Sequence, residues 1–470
     1  MENCKGERMF NPGLSTKIVE ALQNAGFSSY YVGGAVRDYV MGREPHDYDI
    51  CTAATPEQMI EILTPLTKEI IPTGIKHGTI TAVMADGSMY EVTTFRVDGQ
   101  YSDGRHPDTV SFTSDIEEDL ARRDFTINAM AMKWPSFELV DPFGGQQDCE
   151  DRILRCVGDA RERFKEDPLR ILRGIRFMAQ LNFMGFGVDT WNAVNELAPL
   201  LSSISAERIN AELSKIMTFD HPFDILNWDK VLFEIIPEMK AIKGFKQNNP
   251  YHRYDVFKHT QEALRAFVDW DSRSQLKAPI DRLEVSTALL LHDIGKPSSY
   301  SEEFKDGIIR GHFYGHEDVS AEMARAILTR LRFSNNQIDK ITELIAAHNK
   351  TILPQEKLLR RLMNKHGVQQ TRNLLYHNLC DTIGRGGRTL MYQECVEVAI
   401  ESIKLFEDMQ KRPQAFTVKD LVINGSDIMS LGVMQGKSVG ALLNMCLEAI
   451  IDERITNEKE ALLELVRANI

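Results

Sequence analysis

The stretch VGGAVRD at residues 32–38, followed by Asp47-Tyr48-Asp49, decides how the first third of the chain folds and what it binds. In a Gly-Gly turn before a basic residue, as at Gly33 and Gly34, backbone N–H groups can approach phosphate oxygens closely, and Arg37 adds charge-assisted donors. On one strand, Asp47 and Asp49 would project to the same face and could hold two divalent ions. The pattern therefore predicts a Mg-dependent site for nucleotidyl transfer from a nucleoside triphosphate.

A third motif, RRDFTINA at residues 122–129, completes the pattern. In this order and spacing the three motifs resemble the head of class II tRNA nucleotidyltransferases, which include CCA-adding enzymes and bacterial poly(A) polymerases. The resemblance implies an α+β nucleotidyltransferase head of the polymerase beta type. It also implies that Arg123 and Asp124 contact the incoming nucleotide, Asp124 at its ribose.

The segment EDPLRILRGIRF at residues 166–177 predicts a helix, with Asp167 as its N-cap and Pro168 at its first position. Asp167 and Arg170 are three residues apart on one helix face, so they present an acceptor beside a donor. Such a pair matches the pairing edges of cytosine and adenine and rejects those of uracil and guanine. In the family, this motif is an amino-acid template, and the resemblance implies nucleotide contacts by Asp167, Arg170, Arg173 and Arg176.

Two further segments lie between the head motifs. EVTTFR at residues 91–96 predicts a strand, on which Glu91 is either a third catalytic carboxylate or a solvated side chain. Residues 97–107 are polar and rich in Gly and Pro, which predicts a loop. This loop resembles the mobile loop that family members need to switch from C to A, so it favours a protein that incorporates A.

Composition indicates a large cytosolic enzyme of several domains. The 470 residues are 43% apolar and 26% charged, and the net charge of -13 argues against an extended nucleic-acid coat. The seven cysteines form no CxxC pair, so they predict reduced thiols. The N-terminus MENCK has no apolar core and no apolar run reaches the length of a membrane span, so the predicted location is cytoplasmic.

A second constellation begins after residue 250. Histidines and aspartates recur at intervals of roughly two to three dozen residues, as expected if successive helices deliver ligands to one bundle interior. The segment HDIGKP at residues 292–297 resembles an HD phosphohydrolase domain. Mixed imidazole and carboxylate ligands favour Mn, Ni, Mg or Fe over a structural zinc. The predicted ligands are His259, His292, Asp293, His316, His348 and Asp381, and Lys296 is a candidate phosphate contact.

The predicted architecture is an α+β head at residues 1–140, an all-α neck at 141–245, an HD-containing body at 246–385 and a helical tail at 386–470. A neck helix is predicted from Ser205, which is a suitable N-cap. The GRGGR segment at residues 384–388 either contacts RNA phosphates or simply ends a helix, and helix termination is slightly favoured.

The function predicted from these patterns is addition of CCA to tRNA from CTP and ATP, with a phosphohydrolase activity in the HD domain. Three alternatives stay open: a poly(A) polymerase, an A-adding enzyme with a separate CC-adding partner, and an HD metal phosphohydrolase with a degenerate RNA-binding head. No membrane partner is expected, and the sequence leaves the oligomeric state open.

Overall fold

The computed structural model describes residues 10–101, 103–273, 280–305, 308–387, 389–412 and 415–470. These form two compact units, one of residues 1–216 and 228–235 and the other of residues 217–227 and 236–470. The N-terminal MENCK segment with Cys4, Ser102 of the predicted loop, and Arg388 of the GRGGR segment lie outside the described residues. The finer division into head, neck, body and tail stays a prediction.

A seven-stranded sheet organises the first part of unit 1, with strand order β3-β4-β5-β2-β1-β8-β9. Only the β2–β5 pair is parallel among the described neighbours in this sheet. A separate hairpin pairs β6 with β7. The strands are β1 (Ser29–Val32), β2 (Asp49–Thr52), β3 (Glu69–Gly74), β4 (Thr79–Val83), β5 (Met89–Thr94), β6 (Arg96–Asp98), β7 (Val110–Phe112), β8 (Ala131–Lys133) and β9 (Glu138–Val140).

Strand register brings the candidate carboxylates to one edge of the sheet. Val32 pairs with Asp49, so the glycine turn after β1 lies beside the first residue of β2. Ile50 pairs with Val92 in the parallel ladder, so Asp49 and Glu91 occupy neighbouring positions. The strand predicted around Glu91 is confirmed. The prediction that Asp47 lies on the same strand as Asp49 is wrong, because β2 begins at Asp49 and Asp47 belongs to the preceding connection.

Five helices accompany this sheet. Helix α3 shows how local sequence sets a boundary, because Thr55 and Gln58 form a capping box and Pro56 occupies the first helical position. Apolar side chains from the sheet and from α4 form a buried cluster that includes Val32, Phe95 and Leu120. The helices are α1 (Ser15–Asn24), α2 (Gly34–Val40), α3 (Pro56–Leu63), α4 (Ile116–Ala121) and α5 (Gly145–Asp151).

The remainder of unit 1 is mainly helical. The predicted neck helix begins at Ala206, directly after Ser205, as expected. The all-α prediction needs one correction, because residues 153–154 and 185–186 pair as two short parallel strands. Each strand lies in a connection between two consecutive helices. The elements are β10 (Ile153–Leu154), α6 (Ala160–Glu166), α7 (Leu169–Leu181), β11 (Gly185–Phe186), α8 (Val188–Leu197), α9 (Ala206–Thr218, whose last two residues belong to unit 2) and α10 (Asp229–Ile235).

Unit 2 is a helical bundle with one antiparallel hairpin, β12–β13. The hairpin is a second correction to the all-α prediction, since it supplies backbone pairing for a polar segment between two helices. The elements are α11 (Val256–Arg273), α12 (Arg282–Leu291), β12 (Ser301–Lys305), β13 (Ile308–His312), α13 (His316–Arg330), α14 (Asn335–Ala347), α15 (Glu356–His366), α16 (Val368–Gly384), α17 (Leu390–Met409), α18 (Gly425–Met429), α19 (Lys437–Ile451) and α20 (Lys459–Arg467).

Helices α11, α12, α14 and α16 pack against one another at the centre of this bundle. Every residue of α12 from Glu284 to Leu291 is buried, as is most of α16. The last helices enclose a separate apolar cluster around Ile428, Ile451 and Leu462. Among the described helices, none is both long and apolar enough to cross a membrane.

Candidate functional site

A large polar cavity of about 900 Å³ opens in unit 1, a volume suited to a nucleotide. It brings together almost every residue that the head and neck motifs single out. Glu91 is the exception, because it lies on β5 beside the cavity lining. The predicted residues that line the cavity are Gly33, Gly34, Arg37, Asp47, Asp49, Arg123, Asp124, Asp167, Arg170, Arg173 and Arg176.

Two carboxylates, Asp47 and Asp49, line one side of the cavity, and Glu91 lies beside Asp49 on β5. Burial, followed by the charges of Asp47 and Glu91, raises the pKa of Asp49 to about 6, against the opposite influence of Arg123. Mutual repulsion of this kind is relieved when a cation binds among the carboxylates. Oxygen ligands from carboxylates are also the ligands that Mg²⁺ prefers. The residues present therefore fit a magnesium site.

The glycine turn provides space beside Asp49. Gly33 has φ +69°, a left-handed conformation that side chains rarely adopt, and a Cβ there would lie 3.3 Å from Nη1 of Arg123. Arg37 follows on α2, and its guanidinium donates to the amide oxygen of Asn128 at 2.9 Å and to Asp38 at 2.8 Å. The turn therefore leaves backbone N–H groups accessible to a ligand, and the positively charged guanidinium of Arg37 lies next to them.

Asp124 is a buried carboxylate held by arginine. Its Oδ2 accepts hydrogen bonds from Nε and Nη2 of Arg173 at 2.9 and 2.6 Å, and its Oδ1 accepts from the backbone N–H of Phe125 at 2.8 Å. Burial alone would raise the pKa of Asp124, but Arg173 and then Arg170 outweigh it and lower the pKa to about 2. Asp124 is therefore ionised at neutral pH.

The two arginines before Asp124 share one acceptor that sequence reasoning missed. Asp119 is fully buried and accepts from Nη2 of Arg122 at 2.7 Å and from Nη2 of Arg123 at 3.3 Å. The signal was present in the sequence, because Asp119 is three and four residues before these arginines. Asp119 therefore holds the guanidinium groups of two residues that line the cavity, although it does not line the cavity itself.

The proposed template residues do not bond to each other. Oδ1 of Asp167 accepts from the backbone N–H of Leu169 at 3.1 Å, while its Oδ2 accepts from Nη2 of Arg208 at 2.7 Å. Nη1 of Arg170 donates to Oε2 of Glu166 at 2.6 Å. Helix α7 begins at Leu169, although Pro168 already has helical backbone angles. The prediction that Asp167 is the N-cap and Pro168 the first helical residue is therefore wrong by one position, because Pro168 is the N-cap of α7. The side chain of Asp167 still accepts from the first N–H of the helix and is also held in the cavity by Arg208.

Arg208 and Glu212 are further residues that the motifs did not identify. Both lie on α9, and Glu212 accepts a hydrogen bond from Nε of Arg176 at 2.6 Å. Arg208 lines the cavity together with Phe177, whose ring centroid lies 4.1 Å from Cζ of Arg176. The sequence predicted α9 as a helix, but only packing shows which α7 side chains it contacts.

The loop predicted at residues 97–107 is part of a hairpin. Residues 97 and 98 belong to β6, so the loop prediction is wrong there, and the connection to β7 spans residues 99–109. Asp98 accepts a hydrogen bond from the Tyr101 hydroxyl at 2.8 Å, and both residues line the cavity. The hairpin therefore carries polar side chains to the edge of the candidate nucleotide site.

Unit 2 brings all six predicted HD residues into one buried cluster. Nε2 of His259 lies 3.0 Å from Nε2 of His292, and Oδ2 of Asp293 lies 3.3 and 3.2 Å from these two nitrogens. Oδ1 of Asp381 lies 2.9 Å from Nε2 of His259. Asp293 thus joins the first group through one carboxylate oxygen.

The second group uses the other oxygen of Asp293. Its Oδ1 lies 3.3 Å from Nε2 of His316 and 3.7 Å from Nε2 of His348, and these two nitrogens are 3.3 Å apart. Each group has the composition and spacing of a possible metal site. The carboxylate of Asp293 is therefore shared by two adjacent candidate sites.

Backbone carbonyls orient the imidazoles of this cluster. Nδ1 of His292, His316 and His348 donates to the carbonyl three residues earlier, at 2.7, 2.8 and 2.6 Å. In the neutral ring this leaves Nε2 as an acceptor, which is the tautomer that binds a metal. Acceptors that face each other need a cation between them, so the donor set fits two divalent ions.

The charges in the cluster agree with that fit. Burial opposes ionisation of Asp293, but His292 and Lys296 outweigh it and hold the pKa of Asp293 well below its usual range. Conversely, burial opposes protonation of His292, yet Asp293 and Asp381 raise its pKa to about 10. His377, a buried neighbour with its ring 5.5 Å from that of His292, was missed by the spacing argument.

A cavity of about 440 Å³ leads to the cluster. Asp293, His316, His348 and Asp381 line it together with Lys296. Nζ of Lys296 is 2.6 Å from Oδ2 of Asp293 and donates to Oε1 of Gln247 at 2.8 Å. The predicted phosphate contact by Lys296 therefore competes with two acceptors that the lysine already has.

Sequence relatives assign the family. The CCA-adding enzyme of Streptococcus thermophilus is 31% identical to this chain over 453 residues, which cover 96% of this chain and 95% of that enzyme. The chain belongs to the family of CCA-adding enzymes. The CCA-adding enzyme of Geobacillus kaustophilus is 38% identical over 324 residues, which cover 66% of this chain and 77% of that enzyme.

Family models and solved structures agree with membership among the CCA-adding enzymes. Residues 29–155 match the poly A polymerase head domain, and residues 315–466 match tRNA nucleotidyltransferase domain 2. The CCA-adding enzyme of Bacillus stearothermophilus in complex with CTP has a TM-score of 0.63 and 27% identity, with 97% of this chain and 96% of that chain covered. The predicted fold class, an α+β head followed by a largely helical remainder, is confirmed.

Proposed function

We propose that this chain adds cytidine and adenosine to the 3′ end of tRNA without a nucleic-acid template, using CTP and ATP and releasing pyrophosphate. One observation supports the proposal most directly. A single cavity is lined by the carboxylates Asp47 and Asp49 and by Asp167 and Arg170, the residues predicted to select the base. The cavity thus combines the groups needed for the reaction with those needed to choose its substrate.

In the reaction, the 3′-hydroxyl oxygen of the tRNA forms a bond to the α-phosphorus while the bond to pyrophosphate breaks and the hydroxyl proton leaves. Magnesium held by Asp47 and Asp49 would activate the attacking oxygen and stabilise the leaving pyrophosphate. Glu91, next to Asp49 across the parallel ladder, is the candidate third carboxylate. Arg37 and the backbone at Gly33 and Gly34 bind the triphosphate.

The sugar and base are positioned by the neck residues. Asp124 accepts from the ribose hydroxyl, and Arg123 and Arg173 neutralise the charge of the nucleotide. Asp167 accepts from the exocyclic amine of cytosine or adenine, and Arg170 donates to the adjacent ring nitrogen. Arg176 is the remaining side chain that we propose to contact the nucleotide. Each of these side chains is already held by a protein partner, so the base meets a preorganised edge.

The decisive experiment uses purified protein, tRNA that ends before CCA, and labelled triphosphates singly and in pairs. We expect two cytidines from CTP alone and a complete CCA end from CTP with ATP. Addition of A only to a tRNA that already ends in CC would identify an A-adding enzyme. A long A tail would identify a poly(A) polymerase. A cytoplasmic location, where tRNA substrates and reduced cysteines occur, belongs to the same proposal.

A second activity is proposed for unit 2, because five of the six predicted residues form two groups there that share Asp293, and Asp381 lies against His259 of the first group. Two divalent ions, Mn, Ni, Mg or Fe, would generate a hydroxide for attack on a phosphoester. With a nucleoside 2′,3′-cyclic phosphate, the water oxygen bonds to phosphorus, one P–O ester bond breaks, and a proton passes to the released ribose oxygen. Asp293, Asp381 and the four imidazoles would hold the ions.

The hydrolase proposal is tested by loading the protein separately with Mn, Ni or Mg and measuring hydrolysis of cyclic phosphates and phosphomonoesters. We expect hydrolysis with at least one metal. Metal analysis of the purified protein should find divalent ions that a chelator removes. Bound metal without hydrolysis of any of these esters would identify a structural site and contradict the hydrolase function.

A further inference from the structure

A second hollow adjoins the cavity of the histidine–aspartate cluster. It measures about 270 Å³, and the two hollows share Pro250, Tyr251, His252 and Arg385. We call it the side groove, defined by Tyr251, Arg253, Gly387, Met391, Tyr392 and Cys395. Its volume is below the range of about 300–1,000 Å³ that whole ligands occupy. It therefore suits one part of a ligand whose other part lies at the cluster.

Residues 385–387 of the GRGGR segment build one wall of the side groove. Helix α16 ends at Gly384, so the favoured interpretation of this segment as a helix end is confirmed. The carbonyl of Arg385 accepts a hydrogen bond from the backbone N–H of Arg253 at 3.0 Å, which joins the two walls. A Cβ on Gly387 would lie 2.7 Å from Cδ2 of Tyr392. The glycine thus lets this aromatic ring lie directly against the backbone.

The walls present apolar and aromatic surface. Tyr251 is 56% exposed and stands where the groove meets the cluster cavity. The hydroxyl of Tyr392 donates to the carbonyl of Ile383 at 3.1 Å, which fixes the ring at the groove. Met391 is also half exposed. Aromatic side chains grouped in this way are typical of sites that stack planar rings.

The adjoining cluster cavity has the complementary chemistry. Arg310 lines it and makes no ion pair or hydrogen bond within the parts of the chain that the structure describes. Arg385 lines both hollows, and its Nη2 is 2.9 Å from Oδ2 of Asp381. Cations beside candidate metal ligands attract a phosphate, whereas the side groove attracts an uncharged ring.

We propose that the side groove binds the nucleobase of a nucleoside phosphoester whose phosphate lies at the histidine–aspartate cluster. This inference rests on the proposed hydrolase function and adds a specificity subsite to it. Tyr251 stacks on the base, and Arg310 and Arg385 contact the phosphate. The ester is supplied either as a free nucleotide or as the 3′-terminal nucleotide of an RNA.

The first test needs neither metal nor activity. Cys395 lines the groove and is exposed, whereas the other described cysteines are buried. Alkylation of Cys395 in chelator-treated protein, followed by peptide mass spectrometry, should slow when 3′-AMP is added and should not respond to glycerol phosphate. Equal rates with and without 3′-AMP would contradict base binding in the groove.

The second test separates the groove from the hydrolase. Tyr251→Ala should raise the KM for adenosine 2′,3′-cyclic phosphate about fivefold or more, the lower end expected for base–aromatic stacking. Tyr251→Phe should keep the wild-type KM, because the ring is retained. With ribose 2,3-cyclic phosphate, which has no base, Tyr251→Ala should behave as wild type. An oligonucleotide with a terminal cyclic phosphate distinguishes an RNA end from a free nucleotide by the larger kcat/KM.

The outcomes distinguish the two proposals. If wild type hydrolyses the base-free ester as efficiently as the nucleoside ester, or if Tyr251→Ala affects both equally, the subsite is wrong and the hydrolase function stands. If wild type hydrolyses neither ester with any metal, the hydrolase function is wrong, and protection of Cys395 by 3′-AMP alone decides whether the groove binds a base.

Discussion

The two candidate sites of this chain differ in how they hold charge. The cavity of unit 1 is lined by arginines, most of them bound to a carboxylate, such as Arg173 with Asp124 and Arg176 with Glu212. The cluster of unit 2 is lined by buried imidazoles around Asp293 and Asp381. The first site offers many hydrogen-bond donors to a large anion. In each group of the second site, imidazole nitrogens and carboxylate oxygens lie within 4.8 Å of one another, as ligands of a small cation would.

This difference indicates how readily each site can exchange one bound ligand for another. An arginine that is paired in the free protein can redirect its remaining donors to a triphosphate, so the cavity can accept CTP and then ATP. A cluster whose imidazoles are anchored through Nδ1 to backbone carbonyls has little freedom, because moving one ring breaks a buried hydrogen bond. The arrangement in unit 1 therefore suits the exchange of one nucleotide for another, and the cluster in unit 2 suits the retention of an ion.

The largest effect is expected at the carboxylates of unit 1. Asp47→Ala or Asp49→Ala should reduce nucleotide addition to a few per cent of wild type or less, because each removes a proposed metal ligand. Binding of tRNA should largely survive, since it depends on other surfaces. Single-turnover addition and a tRNA binding assay measure the two properties separately.

Asp86→Ala is the matched control for this pair, because Asp86 is an exposed carboxylate that accepts hydrogen bonds from Ser88 in the same turn. It should leave addition unchanged. Addition above a few per cent of wild type in either Asp47→Ala or Asp49→Ala would contradict the two-metal assignment.

The second prediction asks whether the two sites are independent. The double substitution of His292→Ala with Asp293→Ala should abolish bound metal and all phosphoester hydrolysis in unit 2, because it removes an imidazole and the carboxylate shared by both groups. CCA addition should persist, because the cavity of unit 1 contains every group that reaction needs. Metal analysis, ester hydrolysis and CCA addition are measured on one preparation.

Asp339→Ala, which removes an exposed carboxylate of unit 2 paired with Arg325, serves as the control and should change none of the three. Persistent hydrolysis in the double variant would show that the cluster is not the hydrolytic site. Loss of CCA addition while the circular dichroism spectrum stays unchanged would show that the two sites are coupled.

A third prediction concerns base selection in unit 1. Asp167→Ala should reduce discrimination against UTP and GTP by about 1–3 kcal/mol, the value of a good bidentate base contact. The measurement is the ratio of kcat/KM for CTP to that for UTP, and for ATP to that for GTP.

Asp159→Ala is a close control, because Asp159 caps α6 through the backbone N–H groups of Arg161 and Glu162 and does not line the cavity. It removes a cap without removing a base contact, so discrimination should stay at the wild-type value. If both variants lose discrimination equally, Asp167 acts only as a helix cap.

The smallest effect is expected at Arg208, which holds Asp167 without contacting the base in this proposal. Arg208→Ala should weaken discrimination by up to about 1 kcal/mol, the range of a partly exposed ion pair. Arg208→Lys should restore part of the loss, since an ammonium can reach the same carboxylate. Kinetic selectivity is again the measurement.

Arg161→Ala removes a comparable ion pair with Glu196 on the surface of unit 1 and should have no effect on selectivity. A loss at Arg208→Ala as large as that at Asp167→Ala would mean that Arg208 itself contacts the nucleotide.

Local sequence was sufficient for the parts of both sites that lie within one element or turn. The glycines before Arg37 and the i, i+3 spacing of Arg170, Arg173 and Arg176 could be placed from local pattern, and capping chemistry placed the start of α7 to within one residue. The HDIGKP segment likewise marked the start of the second site. Such features depend on neighbours a few residues away, which the order of residues specifies directly.

The errors lie where elements meet in space. Asp47 was placed on a strand because alternation suggested it, but the ladder with β1 and β5 begins only at Asp49. The hairpin β12–β13 and the strand pair β10–β11 depend on partners that a local pattern does not reveal. The roles of Asp119 and Glu212 as acceptors for arginines were missed for the same reason.

The sequence by itself determined the family, the functional groups of the two candidate sites and most of the residues that line them, because motifs state which functional groups are available. Only the tertiary structure decided which groups face each other. It paired Arg208 with Asp167 across two helices, gave both oxygens of Asp293 to separate histidine pairs, and joined the GRGGR segment to residues 250–253 to form the side groove. The physical reason is that hydrogen bonds and metal ligation act over about 3 Å, and residues far apart in the chain reach that distance only through packing.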